Sequence, residues 1–124
     1  MLIVALFGSG IVVGAFGGIL MKMGATQIGH FQIHSLTQLI SYLFKLFTNP
    51  LSLSGVFLYF ISAVIWSYLL TKLNISLVQP ILALTYVVTP ILAIFLLHER
   101  VSLLRWVGIF VIIIGVFIVA RSAA

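Results

Sequence analysis

The chain contains no cysteine and a single acidic residue, Glu99. Without cysteine there are no disulfides, no thiolate nucleophile and no cysteine-ligated metal. With one acid, set beside arginines, no catalytic constellation is visible. No serine has a histidine and an acid arranged in a recognisable motif, so the sequence does not read as an enzyme. Charge of either sign is scarce: charged residues make up 6% of 124 positions, against roughly a quarter in a soluble domain. Seven charged side chains cannot build a surface that faces water. What the chain has instead is 64% hydrophobic residues and a mean hydropathy of +1.40. These values describe an integral membrane protein with no room for a separate soluble domain.

The formal charge of +5 comes from six basic residues placed singly at segment ends, where such side chains reach toward lipid headgroups. Membrane lipids are therefore the expected partner, and nucleic acid is not. Segment ends on one side of the membrane gather Lys22, Lys45, Arg100 and Arg105. The other side has Lys72, Arg121 and the terminal amine, so the positive-inside rule decides no orientation. The opening MLIVALF has no basic n-region or cleavage site and reads as the start of a retained helix.

Four apolar segments are long enough to cross a bilayer as helices, at about 2–23, 50–73, 75–97 and 103–119. The predicted fold is all-α, a single four-helix transmembrane domain over residues 1–124. Between the first two helices, Phe31, Leu36, Leu39, Ile40, Leu43, Phe44 and Phe47 recur near helical period. Two readings stand there: a short interfacial helix, or an extension of a membrane helix. Asn49-Pro50 is a helix start signal, and Ser102 is an N-cap candidate for the last helix. The Lys72-Leu73-Asn74 turn is so short that the helices on either side are antiparallel neighbours.

In segment one, Gly10, Gly14 and Gly18 share a face that lets another helix approach closely. In segment two, Tyr59, Ser62 and Trp66 lie on one face. Segment three is too polar for a mere anchor. Gln79, Ala83, Tyr86 and Pro90 form a stripe, Thr85 and Thr89 an adjacent pair, and Pro80 and Pro90 predict bends. Polar groups in hydrocarbon are costly unless a helix, water or a ligand satisfies them. Two readings of Gln79, Thr85 and Tyr86 stand side by side: a path for a substrate headgroup, or interhelical hydrogen bonds. Trp66 and Tyr59 either stack on that substrate or pack within the bundle. Lys22 either binds a lipid phosphate or extends to the interface. His30 and His34 are four apart, but no acid or cysteine completes a metal site, and neither a metal nor a cofactor is expected.

The second half, LNISLVQPILALTYVVTPILAIFLLHERVSLLRWVGIFVIIIGVFIVAR, resembles the drug/metabolite transporter superfamily in its EamA-like and small multidrug resistance branches. The resemblance rests on the run from Pro80 to Tyr86, the Glu99-x-x-Ser102 turn, Trp106-x-Gly108 and the Gly108-to-Gly115 spacing. TNPLSLSGVFLYFISAVIW is similar to the second helix of four-helix members. The small multidrug branch implies a dimer whose fourth helices meet through the face holding Gly108 and Gly115. It also implies proton-coupled export through a helix-one carboxylate ahead of a Leu-Met-Lys. Here Leu20-Met21-Lys22 is present, but the matching position is Gly14. Subunits that flip aminoarabinose linked to undecaprenyl phosphate resemble the chain in the helix-three proline, the His-Glu turn and the Trp at the start of helix four.

The expected function is that of a transporter subunit in a cell membrane, on this resemblance the bacterial inner membrane. It would work as a homodimer, or as a heterodimer with a related subunit, and move a lipid-linked sugar or another amphipathic substrate. Export of a small drug or metabolite is the second expectation. A non-transporting accessory subunit of a larger membrane complex is the third.

Overall fold

A computed structural model describes residues 1–29 and 32–122. His30 of the histidine pair and Phe31 of the apolar series lie outside the described residues. All regular elements among these residues are helices: α1 (Leu2–Ile28), α2 (Leu36–Thr48), α3 (Pro50–Leu70), α4 (Ile75–Leu82), α5 (Thr85–Leu97) and α6 (Leu103–Arg121). Taken together, α4 and α5 form one of four spans long and apolar enough to cross a membrane, with α1, α3 and α6 the others. This is an all-α, multi-pass membrane architecture.

The centre of the bundle is the pairing of α1 with α3, and glycine makes it possible. A Cβ on Gly17 would stand 3.0 Å from the Gly55 carbonyl, and one on Gly55 would stand 2.7 Å from the Gly17 carbonyl. The two backbones touch there with no side chain between them. Gly10, Gly14, Gly17 and Gly24 are all buried along this seam. At the end of α1 that meets the start of α3, Asn49 Nδ2 donates to Gln27 Oε1 at 3.1 Å, and the Asn49 side-chain oxygen accepts from the backbone N–H groups of Leu51 and Ser52. Asn49 thus caps α3 and ties it to α1.

The first helix runs past Met23 to Ile28, where Gly29 ends it at φ 84°. Thr26 sits in that last turn by donating to the Lys22 carbonyl at 2.8 Å, a local bond that lets a threonine continue a helix. A separate helix, α2, follows, capped by Ser35. It presents Leu36, Ile40, Phe44 and Phe47 outward. An amphipathic helix with no buried residue and a bare apolar face suits the headgroup boundary. The connection is thus divided between an extension of α1 to Ile28 and a separate short helix. His34, just ahead of α2, spends a ring nitrogen on Gln32 Oε1 at 3.2 Å.

The third span breaks at Ala83–Leu84. Across the break the N–H groups of Ala83, Leu84, Tyr86 and Val87 bond three residues back, a 3₁₀ pattern. The break lies between Pro80, which has no N–H for the Ser76 carbonyl, and Pro90, which has none for the Tyr86 carbonyl. With the ladder weakened on both sides, the turn between them tightens.

At the other end of α5, His98 adopts the left-handed conformation at φ 55°, and the Glu99 N–H reaches back to the Ala93 carbonyl at 3.2 Å. This C-cap suits glycine. His98→Gly is expected to stabilise the fold by about 1 kcal/mol, readable as a higher unfolding midpoint in detergent.

The last helix, α6, is capped by Ser102, whose hydroxyl oxygen accepts from the Arg105 N–H at 3.3 Å. It packs against α4 and α5 through Ile109 and Val116. Gly108 and Gly115 precede those two residues by one position each, which turns them about 100° away from the packing stripe. Nothing lies within 4 Å of where their Cβ atoms would be.

Candidate functional site

The broken third span, α1 and α3 enclose a cavity of about 470 Å³ lined by Gly14, Tyr59, Ser62, Ala63, Trp66, Gln79, Leu82, Ala83, Thr85 and Tyr86. Five residues singled out in the sequence as substrate contacts, Tyr59, Trp66, Gln79, Thr85 and Tyr86, meet there. Lys22 does not. It is exposed on α1, outside the lining. Pro90 and Thr89 also stay outside. A straight helix would present Gln79, Ala83, Tyr86 and Pro90 together. The three-residue period of the tightened turn instead brings Gln79, Leu82 and Thr85 into line, with Ala83 and Tyr86 beside them.

On the α3 side the site is built around Ser62. Its hydroxyl donates to the Gly10 carbonyl at 3.0 Å and accepts from Trp66 Nε1 at 2.7 Å. The indole N–H is spent inside the protein, so Trp66 offers the cavity an aromatic face and no donor. Phe7 on α1 supports that ring at 5.8 Å between centroids, tilted by 52°. Glycine sets the clearances. A Cβ on Gly10 would stand 3.1 Å from the indole, one on Gly14 would stand 3.2 Å from Ser62 Oγ, and one on Gly18 would stand 3.0 Å from the Tyr59 hydroxyl. Gly10, Gly14 and Gly18 therefore serve packing within the subunit, against α3. Sequence reasoning placed Ser62 on the right face but did not identify its relay. The available signal was its four-residue spacing from Trp66, which puts a donor and an acceptor in reach on one helix.

Ser62→Ala is expected to leave the indole N–H unpaired and to remove the second hydrogen bond from the Gly10 carbonyl, at a cost of about 1–3 kcal/mol. A shift in Trp66 fluorescence should accompany the loss, with Trp106 as the remaining emitter, and Ser62→Thr should restore most of it.

No charged side chain lines the cavity. The polar groups left for a ligand are the Tyr59 and Tyr86 phenols, the Gln79 amide and the Thr85 hydroxyl. Tyr86 is 65% exposed and Tyr59 46%, and each lies about midway along its span. The cavity therefore opens through the side of the bundle, at mid-membrane depth. A larger groove of about 780 Å³ is lined by Leu20, Leu53, Ser54, Val56, Phe57, Leu58 and Phe60. It is almost wholly apolar and continuous with exposed aromatic side chains, a surface for acyl chains rather than a polar path.

The profile of the EamA-like transporter family matches residues 1–121. No curated protein and no solved structure matches the chain.

Proposed function

The chain belongs to the EamA-like transporter family, a membrane transporter of the drug/metabolite type, and from that premise we propose that it translocates an amphipathic, lipid-linked substrate as a dimer. The observation that carries this reading is the mid-membrane cavity with its lateral mouth. A headgroup can bind Gln79, Thr85, Tyr59 and Tyr86 while its hydrocarbon tail stays in the bilayer. Aromatic faces and neutral hydrogen-bonding groups suit a sugar ring carried on a polyprenyl phosphate. The phosphate would remain nearer the membrane surface, where Lys22 and the loop arginines lie. The break at Ala83–Leu84 supplies a joint at the site, the place where a discontinuous span changes shape in alternating access.

Two features support the dimer. Tyr59, Tyr86 and Gln79 are exposed at a depth where polar groups are costly in lipid. The Gly108–Gly115 face has open space beside it and is turned away from its own bundle. A second copy, or a related subunit, would cover both, in a bacterial inner membrane on this reading. Export of a free small molecule uses the same site and is favoured by the cavity volume, which lies in the range of drug-sized pockets.

Purified protein in liposomes, supplied with a fluorescent polyprenyl-phosphate sugar, is expected to exchange it between leaflets. Gln79→Ala with Tyr86→Ala should lower that rate by at least about tenfold, while the circular-dichroism spectrum is kept. Gly115→Leu should keep the subunit folded and lower the dimer fraction. Absence of exchange, with export of a soluble metabolite, would transfer the site to the second reading. Absence of both, with co-purification of a larger membrane complex, would favour an accessory subunit.

A further inference from the structure

A second polar cavity, of about 450 Å³, lies at the opposite end of the bundle from the His98–Arg105 cluster. It is lined by Lys72, Leu73, Asn74, Ser76, Leu77, Val119 and Ser122. It sits where the α3–α4 turn meets the last turn of α6, at the level of the membrane surface. We propose that this cavity binds the phosphate of an anionic phospholipid.

Lys72 is exposed and brings an ammonium to the cavity, 6.0 Å from the centroid of the Tyr68 ring. The only acid in the chain, Glu99, follows α5 at the far end of the bundle. Among the described residues no acidic side chain stands at this end of the bundle, so the cavity presents positive charge to the membrane surface. Two other polar side chains suit a phosphate oxygen. Asn74 stands at the N-cap position of α4 with no side-chain cap bond, and its Nδ2 group can donate to a phosphate oxygen. Ser76 contributes a hydroxyl. The Ser122 hydroxyl lines the cavity but spends its hydrogen on the Val119 carbonyl at 2.6 Å, so it offers the phosphate no donor. Arg121 adds a second positive charge beside the cavity, its guanidinium 5.9 Å from the Phe117 ring.

Location selects the lipid over free phosphate. The cavity floor is Leu73, Leu77 and Val119, and α6 continues from it with Phe117, Ile118 and Ile114 exposed. A glycerol backbone fits over that floor, and acyl chains continue along the apolar side of α6. Inorganic phosphate would gain the charge contact alone. This site does not depend on the transport cavity and stands or falls separately from it.

The test uses full-length protein in a neutral detergent. Its unfolding midpoint is followed during titration with phosphatidylglycerol, phosphatidylcholine or inorganic phosphate. Phosphatidylglycerol is expected to raise the midpoint, with little response to the other two. Lys72→Gln should weaken the apparent affinity for phosphatidylglycerol by about fivefold, as loss of one basic residue at a membrane surface implies. Ser76→Ala should weaken it further. Arg100→Gln, at the other end of the bundle, should leave it unchanged. Equal responses to the two lipids, or a Lys72→Gln protein that responds like the parent, would overturn the proposal. An equal response to inorganic phosphate would overturn the assignment to lipid.

Discussion

Gly55→Ala is expected to separate α1 from α3 and to prevent a stable subunit from forming. The new Cβ would stand 2.6 Å from Met21 Cγ, 2.7 Å from the Gly17 carbonyl oxygen and 2.8 Å from the Met21 backbone nitrogen. A long side chain such as Met21 can swing away from its Cγ contact. The other two atoms belong to the backbone of the opposing helix and cannot move without it. Overpacking of this kind costs about 1–3 kcal/mol, and more when rigid backbone is the obstacle. The α1–α3 seam is the main internal surface of the protein, so the upper end applies. Folded yield by fluorescence-detected size exclusion, and resistance to denaturing detergent, are the measurements. Gly108→Ala is the control, since nothing stands within 4 Å of that position. Loss of folded protein with Gly55→Ala and not with Gly108→Ala would tie the effect to the seam rather than to a general need for glycine.

Gly14→Glu is expected to change what drives transport. Gly14 lines the cavity and is the position matching the membrane carboxylate of the small multidrug branch. The present lining contains no carboxylate, histidine or lysine. Transport by the native protein should therefore vary little with pH around neutrality. A carboxyl introduced there adds a group that binds and releases a proton within the membrane. Transport should then depend on pH, and the site should favour cationic over neutral substrates, because an unpaired buried charge requires a partner. The side chain must also clear Ser62 Oγ, 3.2 Å from its Cβ, so some loss of stability is expected as well. Comparison with Gly14→Gln separates the two effects. The amide occupies nearly the same volume without the charge and should lower activity without making it pH-dependent. A pH-independent Gly14→Glu protein, still active, would show that this position does not face the transport path.

How much of this was legible in the sequence depends on which physical rule was local. Asn49 and Ser102 could be read as caps because an N-cap acts within three residues of itself, and both make the predicted bonds. Asn74 has the same side chain in the same position and makes no such bond, so residue type alone did not decide its use. The grouping of Tyr59 with Trp66, and of Gln79 with Tyr86, followed from helical period. That these two groups face one another across a cavity is a tertiary fact that no period supplies. Pro80 and Pro90 predicted bends. They did not predict that the chain would tighten between them at Ala83–Leu84 and carry Thr85 into the site in place of Pro90. The glycine face of α1 was visible, but its partner was not. A small-residue stripe fits another subunit as well as another helix of its own chain. What assigns it to α3 is the matching gap at Gly55, thirty-eight positions from Gly17.

The pairing of α1 with α3 also has a consequence in time. These are consecutive spans, but α2 is made between them. Ribosomes add about 5–20 residues per second, so α1 stays several seconds in the bilayer before the last turn of α3 exists. During that interval the backbone exposed at Gly10, Gly14 and Gly17 faces lipid, insertion machinery or a neighbouring nascent chain. A stripe suited to close approach is then a hazard, because two unfinished copies can meet through it. Slower synthesis across residues 29–70 would lengthen that window and increase misassembly, without altering any contact in the finished protein.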